Sequence, residues 1–526
     1  MMSFGVLFPF VLYLLLVLGI GLYMARRIKN YNDFMIGGRK IGPWVSSFAL
    51  ITSYMSGYTY TAAPGVSYTG GWSAMWWGTG DAPGNALSFG ILGRRLRKLS
   101  ELLGAITLPE YYEKRFKSPT LRLLVSIIIF VFVAMYLVAQ WQASGKLLGI
   151  TFGTSYVVGA VIGASVVLLY TLLGGYLAVV YTDFVQGLIM YFATQFLFFT
   201  ALAKVGGFAA FNDKLGAISP DLVTPFGPGG GYAGLLLAAG PIILIILGSF
   251  GLPHVTVRHL SLKNPDTARK SMLITALFVA TFSISYYMIG AVSLVLLGPG
   301  IADIETTGVR LWFEVLSPTM AGVMVSAAVA SIMSTADGFL MLLVSTIAHD
   351  ILYRFLMPKA PEKKRIMIAR LTAAAVAILT FVIALNPPAL VFTIVIFAFG
   401  GMALAFGIPN LFSVFWKRST EMGALASIVL SMVTYVGMTV AKVSFLGLNA
   451  FLTSLVVGIL AFVLGSLASK KPTPQEEKLF DIGTAYGPLA AGSANLAVEV
   501  EVVEEILSRQ GTTKRIAVLP ELSPAD

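Results

Sequence analysis

The sequence predicts an all-α integral membrane protein with about thirteen transmembrane helices. Hydrophobic residues make up 57% of the 526 residues and charged residues only 12%. That is about half the charged fraction of an ordinary soluble domain, roughly 25%, so the composition excludes a soluble enzyme. Apolar stretches of helix-spanning length recur about every 40 residues. They are continuous, whereas a transmembrane barrel strand needs only about ten residues of alternating polarity.

The first apolar stretch is long enough to cross the membrane fully. It lacks the basic start and the small-residue cleavage site of a signal peptide, so we expect it to be retained. The thirteen predicted spans lie near residues 3–24, 43–66, 72–92, 120–148, 155–173, 176–203, 234–253, 270–297, 319–350, 364–385, 389–415, 422–444 and 450–469.

Basic residues follow the odd-numbered spans, except for the fifth, and predict the orientation of the chain. Short loops rich in Lys and Arg stay in the cytoplasm, so we expect the N-terminus outside and the C-terminus inside, in the plasma membrane. The net charge of +11 lies in these loops, which argues against a nucleic-acid partner. The largest clusters are Arg26, Arg27, Lys29, Arg39 and Lys40; Arg94, Arg95, Arg97, Lys98, Lys114, Arg115 and Lys117; and Arg258, Lys263, Arg269 and Lys270.

The composition changes after residue 470 and divides the chain into two parts. Residues 1–470 are predicted to form the transmembrane domain. Residues 471–526 are predicted to form a solvated or partly disordered cytoplasmic tail, with an acidic amphipathic stretch near 498–507 and no assigned chemistry. The chain has no cysteine, which excludes disulfides, iron-sulfur clusters and thiolate metal sites.

Two spans are interrupted by glycine, proline and polar residues. The second contains the polar, glycine-broken stretch 53–58, and the seventh ends in the proline-broken stretch 248–254. They lie five spans apart, and this odd offset gives them opposite directions, which predicts two inverted five-helix repeats near 43–203 and 234–415. A matched pair of broken helices points to the substrate site of a secondary transporter. Taken singly, such breaks are also ordinary packing notches and kinks.

The ninth span carries a row of hydroxyl groups. Ser331, Ser334 and Thr335 stand at positions i, i+3 and i+4, which places them on one face of a helix. Hydroxyls and unwound backbone carbonyls together can replace the hydration water of a hard cation at membrane depth. The alternative is that these small residues simply allow close helix packing.

Several motifs resemble those of the sodium:solute symporter family, and they occur in the same order over about residues 1–470. Within that family, the chain resembles the proline, pantothenate and monocarboxylate carriers of bacteria and archaea. It implies a LeuT-type core of two inverted five-helix repeats, formed by spans two to six and seven to eleven. The matching segments are residues 333–337, 348–353, 55–57, 182–186 and 251–254, followed by Arg258.

The resemblance also implies a sodium site between the second and ninth spans. Its expected ligands are the carbonyls of Thr52, Met55 and Ser331 and the hydroxyls of Ser334 and Thr335. Those three residues of the ninth span are the ones that the helical spacing places on one face.

Three carboxylates inside apolar spans need separate explanations, because such groups are costly there and are functional by default. The resemblance implies that Asp183 supports sodium binding or release beside the site; alternatively, it pairs with a cytoplasmic base. Asp337 lies off the hydroxyl face and is expected to pack structurally. Asp81 is predicted to be a proton-coupling acid, a substrate contact or the partner of a buried base, and the sequence leaves these alternatives open.

Substrate contacts are expected from the breaks and from the spans that face them. Tyr58, Trp76, Tyr136 and Gln140 offer aromatic faces for an apolar body and polar groups for orientation. Tyr136 matches a pocket tyrosine of the bacterial proline carriers. The chain departs from those carriers at three other positions, Tyr54, Tyr58 and Ile245. On its cytoplasmic side it is closer to monocarboxylate carriers, at residues 268–271, Ser345, 349–350 and Tyr353.

These features favour a sodium-coupled symporter that imports a small organic solute, either a monocarboxylate or an amino acid, by alternating access. A proton-coupled symporter using Asp81 or Asp183 is the alternative within transport. A nutrient sensor with the transporter fold would be expected to carry a large appended domain. An enzyme is not expected, since none of the three histidines forms an H-E-x-x-H arrangement. The bilayer and the solute are the expected partners, and the oligomeric state is left open.

Overall fold

The computed structural model describes residues 3–227, 231–387, 389–445 and 447–484, and the regular secondary structure there is helical. The helices are α1 Phe4–Ala25, α2 Tyr31–Ile36, α3 Pro43–Tyr54, α4 Gly57–Tyr60, α5 Ala62–Gly70, α6 Met75–Thr79, α7 Asp81–Leu87, α8 Arg94–Leu102, α9 Leu108–Phe116, α10 Pro119–Phe152, α11 Tyr156–Val205, α12 Gly207–Ile218, α13 Gly231–Gly251, α14 Pro253–Ser261, α15 Pro265–Leu297, α16 Thr307–Val315, α17 Pro318–Val344, α18 Glu362–Ala384, α19 Val391–Met402, α20 Ile408–Phe415, α21 Glu421–Ala441, α22 Ala450–Ala468 and α23 Pro474–Thr484.

Nine continuous helical segments in those ranges are long and apolar enough to span a membrane, and a bent pair, Ala238–Gly251 with Pro253–Ser261, makes up to ten. The other predicted spans are broken or short in the structure. They correspond to α3–α5, to the helical run from α6 to α8, and to the apolar helix Tyr156–Leu169. The exact number of thirteen spans therefore stays a prediction.

The second predicted span is broken as the sequence indicates. Helix α3 ends at Tyr54; the next residue, Met55, has non-helical φ and ψ of −84° and 86°, and Ser56 is extended before α4 begins. Gly57 allows the broken segment to pack closely against α10 and α17, because a Cβ there would lie 2.8 Å from the Cβ of Ala143 and 2.9 Å from Ile332. The unwound backbone is therefore held in the protein interior, where irregular membrane backbone is tolerated.

The seventh predicted span is also broken. Helix α13 ends at Gly251 and α14 begins at Pro253, with a bend of 45° between them. Proline cannot continue the hydrogen-bond ladder of the preceding turn. The carbonyl of Phe250, in the last turn of α13, accepts a 2.8 Å hydrogen bond from the side chain of Asn410.

Helix α17 lies at the centre of the bundle. It packs against α1, α3, α10 and α11, and it continues through a π-helical segment, Ser345–Leu356. Nearly all of its side chains are buried, including the three predicted hydroxyl residues. The hydroxyl row therefore faces protein rather than lipid.

The beginning of the predicted tail forms a helix. Helix α23 packs against α8 and buries Leu479 and Phe480, and the prediction of a solvated or partly disordered tail over 471–526 stays a prediction. Two apolar side chains one position apart are enough to dock the helix, although its remaining residues are largely polar. The acidic stretch near 498–507 lies outside the described residues.

Candidate functional site

The hydroxyl row of α17 meets the end of α3. The Ser334 hydroxyl lies 3.3 Å from the carbonyl oxygen of Thr52 and 3.3 Å from that of Ser331, and the Thr335 hydroxyl lies 3.4 Å from the Thr52 carbonyl. All four residues are completely buried. The structure thus brings four of the five predicted ligand residues into one cluster of two hydroxyls and two carbonyls.

The unwinding of α3 makes the Thr52 carbonyl available. The last carbonyls of a helix lack partners from the next turn, and here the chain turns away at Met55, the fifth predicted ligand residue. Met55 is buried one turn after Thr52, and its N–H donates to the Ile51 carbonyl at 2.8 Å. The Thr52 hydroxyl donates back to the Phe48 and Ala49 carbonyls. Thr52 therefore presents its carbonyl oxygen to α17.

This oxygen cluster fits a small hard cation. Such ions prefer oxygen ligands and need no charged group when carbonyls and hydroxyls converge. In the structure, the Ser334 and Thr335 hydroxyls donate to the carbonyls, and both hydroxyl oxygens keep lone pairs that can face a cation. The donor set contains no soft sulfur or nitrogen ligand, which disfavours transition metals.

Asp183 is engaged by a base rather than by the hydroxyl cluster. Its carboxylate lies 2.6 Å from the guanidinium of Arg258, and both side chains are buried. Arg258 also donates to the Ser53 hydroxyl at 2.8 Å, so the ion pair lies next to the residue that follows Thr52. The sequence offered this pairing as the alternative to a direct sodium role. Asp337 is completely buried on α17.

A cavity of about 20 Å³ lies beside the ion pair. Its lining includes Arg258, His254 and Gly338, and also Ile106 and Thr107 from the predicted cytoplasmic loop after the third span. The second oxygen of Asp183 is buried and has no hydrogen-bond partner in the part of the chain that the structure describes. Arg258 therefore borders a small space that it shares with a predicted cytoplasmic loop, and its partner Asp183 has one acceptor without a hydrogen bond among the described residues.

Three of the four predicted substrate residues meet at the break in the second span. The Tyr136 hydroxyl lies 3.2 Å from that of Ser56, and the side-chain carbonyl of Gln140 accepts from the Gly57 N–H at 2.9 Å. The Tyr58 hydroxyl lies 3.0 Å from that of Tyr287 on α15. The amide nitrogen of Gln140 is buried and, among the described residues, has no hydrogen-bond partner. It is an unused donor at the edge of the unwound backbone.

The structure places the fourth predicted residue, Trp76, elsewhere. Its indole N–H donates to the Pro225 carbonyl at 2.6 Å, and its ring stacks on Phe226, in the long loop before α13. The neighbouring Trp77 packs instead on Phe392, which stacks on Tyr58. Adjacent residues of a helix point about 100° apart, so Trp76 and Trp77 reach different neighbours.

Asp81 begins α7 and is buried against α15. Its carboxylate accepts hydrogen bonds of 2.8 Å from Ser283 and 2.7 Å from Tyr286. Within the described ranges no Lys, Arg or His forms an ion pair with it. The role of Asp81 stays a prediction. Tyr286 precedes Tyr287, which contacts Tyr58, so Asp81 lies one residue from the substrate-side cluster.

Comparison with known proteins agrees with this arrangement of broken helices and buried oxygens. Residues 34–431 match the family model described as the sodium:solute symporter family. The chain belongs to that family. The resemblance seen in the sequence is therefore confirmed, sodium is the coupling ion, and the family and its named relatives are transporters rather than enzymes.

Curated relatives of this symporter cover almost its whole length. It is 30% identical over 490 residues to the osmoregulated proline transporter OpuE of Bacillus subtilis, with 91% of this chain and 98% of the relative covered. It is 31% identical over 505 residues to the sodium/proline symporter of Escherichia coli, with 92% and 97% covered. For the sodium/pantothenate symporter of Haemophilus influenzae, the identity is 29% over 470 residues, with 88% and 96% covered.

Two solved structures share the fold of this symporter. A Na+-coupled sialic acid symporter in a substrate-bound outward-open state aligns with a TM-score of 0.76 at 20% identity, covering 89% of this chain and 99% of that one. Mhp1, a nucleobase-cation-symport-1 family transporter in a closed conformation, aligns with a TM-score of 0.54 at 13% identity, covering 86% and 99%. The predicted fold class, an all-helical membrane protein with a LeuT-type core, is confirmed.

Proposed function

We propose that this symporter imports a small amino acid or monocarboxylate together with sodium by alternating access. The N-terminus lies outside and the C-terminus in the cytoplasm of the plasma membrane. One observation carries the proposal: the Ser334 and Thr335 hydroxyls converge on the Thr52 carbonyl where α3 unwinds. A cation held there links the broken helix of one repeat to the hydroxyl-bearing helix of the other.

Coupling follows from the short distance along the chain between the ion site and the substrate site. Thr52 and Met55 end α3 on the sodium side of the break, and Ser56 and Gly57 continue it on the side of Tyr136 and Gln140. Sodium fixes the conformation of this unwound segment and thereby sets the positions of the substrate donors. Because linkage is reciprocal, the substrate should raise the affinity for sodium by the same factor.

The substrate class follows from the donors around the break. The unused Gln140 amide and the Tyr136 hydroxyl can donate to a carboxylate, the group that amino acids and monocarboxylates share. Tyr58, Phe392 and Trp77 form an aromatic wall that suits a small apolar body. Proline and pantothenate, named for the relatives, both carry a carboxylate and are the first compounds to test.

Proton coupling through Asp81 is the second candidate, because this buried carboxylate has two hydroxyl donors and, in the described part of the chain, no basic partner. Asp183 is a weaker candidate, since its charge is compensated by Arg258. Uptake driven by a pH gradient without sodium would distinguish this mechanism from sodium symport.

The sodium site can be tested without knowing the substrate. A cation that binds only the folded state raises the apparent unfolding temperature, so the purified protein should be more stable in sodium chloride than in choline chloride at equal ionic strength. We expect Ser334→Ala with Thr335→Val to remove this difference and to abolish sodium-driven uptake in proteoliposomes.

Ser326→Ala with Thr346→Val is the matched control, since both residues are buried hydroxyls on the same helical run outside the cluster. The control should keep the sodium response. A sodium response that survives in the Ser334/Thr335 variant would remove the proposed site.

A further inference from the structure

A second cavity, of about 290 Å³, lies far along the bundle from the transport site. It opens where the start of α8 and the start of α15 meet, on the face that the basic loops predict to be cytoplasmic. Among the described residues that line it, the charged ones are all basic: Arg94, Arg95 and Lys98 from α8 and Arg269 from α15. The cavity therefore concentrates positive charge from two helices that are distant in sequence.

Two of these bases, Arg95 and Lys98, are held against the protein surface, whereas Arg269 is exposed to solvent. Arg95 donates to the Val414 carbonyl at 2.9 Å, and its guanidinium lies 4.1 Å from the centre of the Phe415 ring. Lys98 is only 6% exposed. Loop bases that only set membrane orientation need no such fixed positions. This arrangement is instead typical of a pocket that receives an anion.

The same helices continue from the cavity into the apolar surface of the bundle. On α15, Leu273 and Leu277 follow Arg269 at intervals of four residues and are 65% and 67% exposed. On the other side, Ile91 precedes Arg94 by three residues and is 38% exposed. Residues at these spacings share a helix face. The basic cavity therefore stands directly above a lipid-facing apolar strip.

We propose that this cavity binds the phosphate headgroup of an anionic phospholipid, whose acyl chains lie along Leu273 and Leu277. Basic pockets between helices at the cytoplasmic membrane surface recognise such headgroups through charge and hydrogen bonds, and arginine suits phosphate in particular. The apolar strip accounts for the choice of a lipid over a free anion. The assignment does not depend on the identity of the transported solute.

A competing occupant is the chain's own tail. Thr484 lines the cavity, and the sequence that follows contains four glutamates in a short stretch, Glu499, Glu501, Glu504 and Glu505. These carboxylates match the charge of the cavity, but the tail is predicted to be cytoplasmic, whereas Leu273 and Leu277 lie within the predicted span 270–297. The lipid satisfies both features and is therefore preferred.

The experiment measures the apparent unfolding temperature of the full-length protein in neutral detergent. Dioctanoyl phosphatidylglycerol is titrated against dioctanoyl phosphatidylcholine and against inorganic phosphate. Selective stabilisation by phosphatidylglycerol supports the site, because a ligand of the folded state raises stability by mass action. Equal effects of the two lipids, or an equal effect of inorganic phosphate alone, would overturn it.

Variants locate the binding. Each base near an anionic headgroup contributes roughly a five-fold factor in affinity, so Arg94→Gln with Arg269→Gln should weaken phosphatidylglycerol binding about 25-fold. Lys363→Gln with Lys364→Gln removes two exposed bases outside the cavity and should leave the response unchanged. Full retention of binding by the Arg94/Arg269 variant contradicts the assignment. A second result would also contradict it: if phosphatidylglycerol stabilises the protein only after the four tail glutamates are changed to glutamine, the tail is the occupant of the cavity.

Discussion

The carboxylate of Asp183 lies 2.6 Å from the guanidinium of Arg258, and neither side chain reaches solvent. The two residues belong to α11 and α14, which lie in different repeats of the predicted core. Arg258 also holds the Ser53 hydroxyl, one residue from the Thr52 carbonyl. A charge pair thus connects the two repeats directly beside the proposed sodium site.

Replacing one partner of this ion pair should lower the stability of the protein more than replacing both. Arg258→Gln leaves a buried carboxylate without compensation, a change that costs about 3–5 kcal/mol. We expect a large fall in the unfolding temperature of Arg258→Gln and partial recovery in Asp183→Asn with Arg258→Gln. Lys417→Gln is the comparison, because Lys417 pairs with Asp481 at the surface. If Arg258→Gln is no less stable than Lys417→Gln, the ion pair does not connect the repeats.

Gln140 should determine how tightly the substrate carboxylate is held. Gln140→Glu keeps an acceptor for the Gly57 N–H but replaces the unused amide donor with an oxygen. A hydrogen bond to a charged group contributes about 1.5–3 kcal/mol, so KM for a carboxylate substrate should rise at least about tenfold. The sodium-induced rise in unfolding temperature should persist, which separates substrate binding from sodium binding. An unchanged KM would exclude Gln140 as a substrate contact.

The parts of the site that lie close together in sequence could be predicted from it. The spacing of Ser331, Ser334 and Thr335 fixes a common helix face in any helix. The break near Met55 follows from glycine and polar residues in an otherwise apolar span. In both cases local backbone geometry decides the outcome, and one segment of sequence contains the whole signal.

The missed contacts depend on packing between distant segments. Tyr287 and Phe392 meet Tyr58 only after α15 and α19 are placed beside the broken span. The partner of Asp183 lies 75 residues away on another repeat. Helix direction around an irregular stretch cannot be extrapolated from a period of 3.6 residues, so the sequence does not show that Trp77 rather than Trp76 packs on Phe392.

Asp81 should be dispensable for sodium coupling. Asp81→Asn retains an acceptor for Ser283 and Tyr286 while removing the titratable group. We expect sodium-driven uptake to continue in this variant and a pH gradient alone to drive no uptake in the wild type. Uptake that follows a pH gradient and disappears in Asp81→Asn would instead favour proton coupling.

Gly57 should be intolerant of a side chain because the break packs against two helices at once. A Cβ at this position would lie 2.8 Å from Ala143, 2.9 Å from Ile332 and 3.1 Å from the side-chain oxygen of Gln140. Overpacking of this kind costs about 1–3 kcal/mol. Because Ile332 is next to Ser331 on α17, Gly57→Ala should also separate α17 from the unwound segment and weaken sodium binding. Gly19→Ala is the control, since its Cβ would meet nothing within 4 Å. A sodium response of Gly57→Ala equal to that of Gly19→Ala would show that sodium binding does not depend on the close approach of these helices.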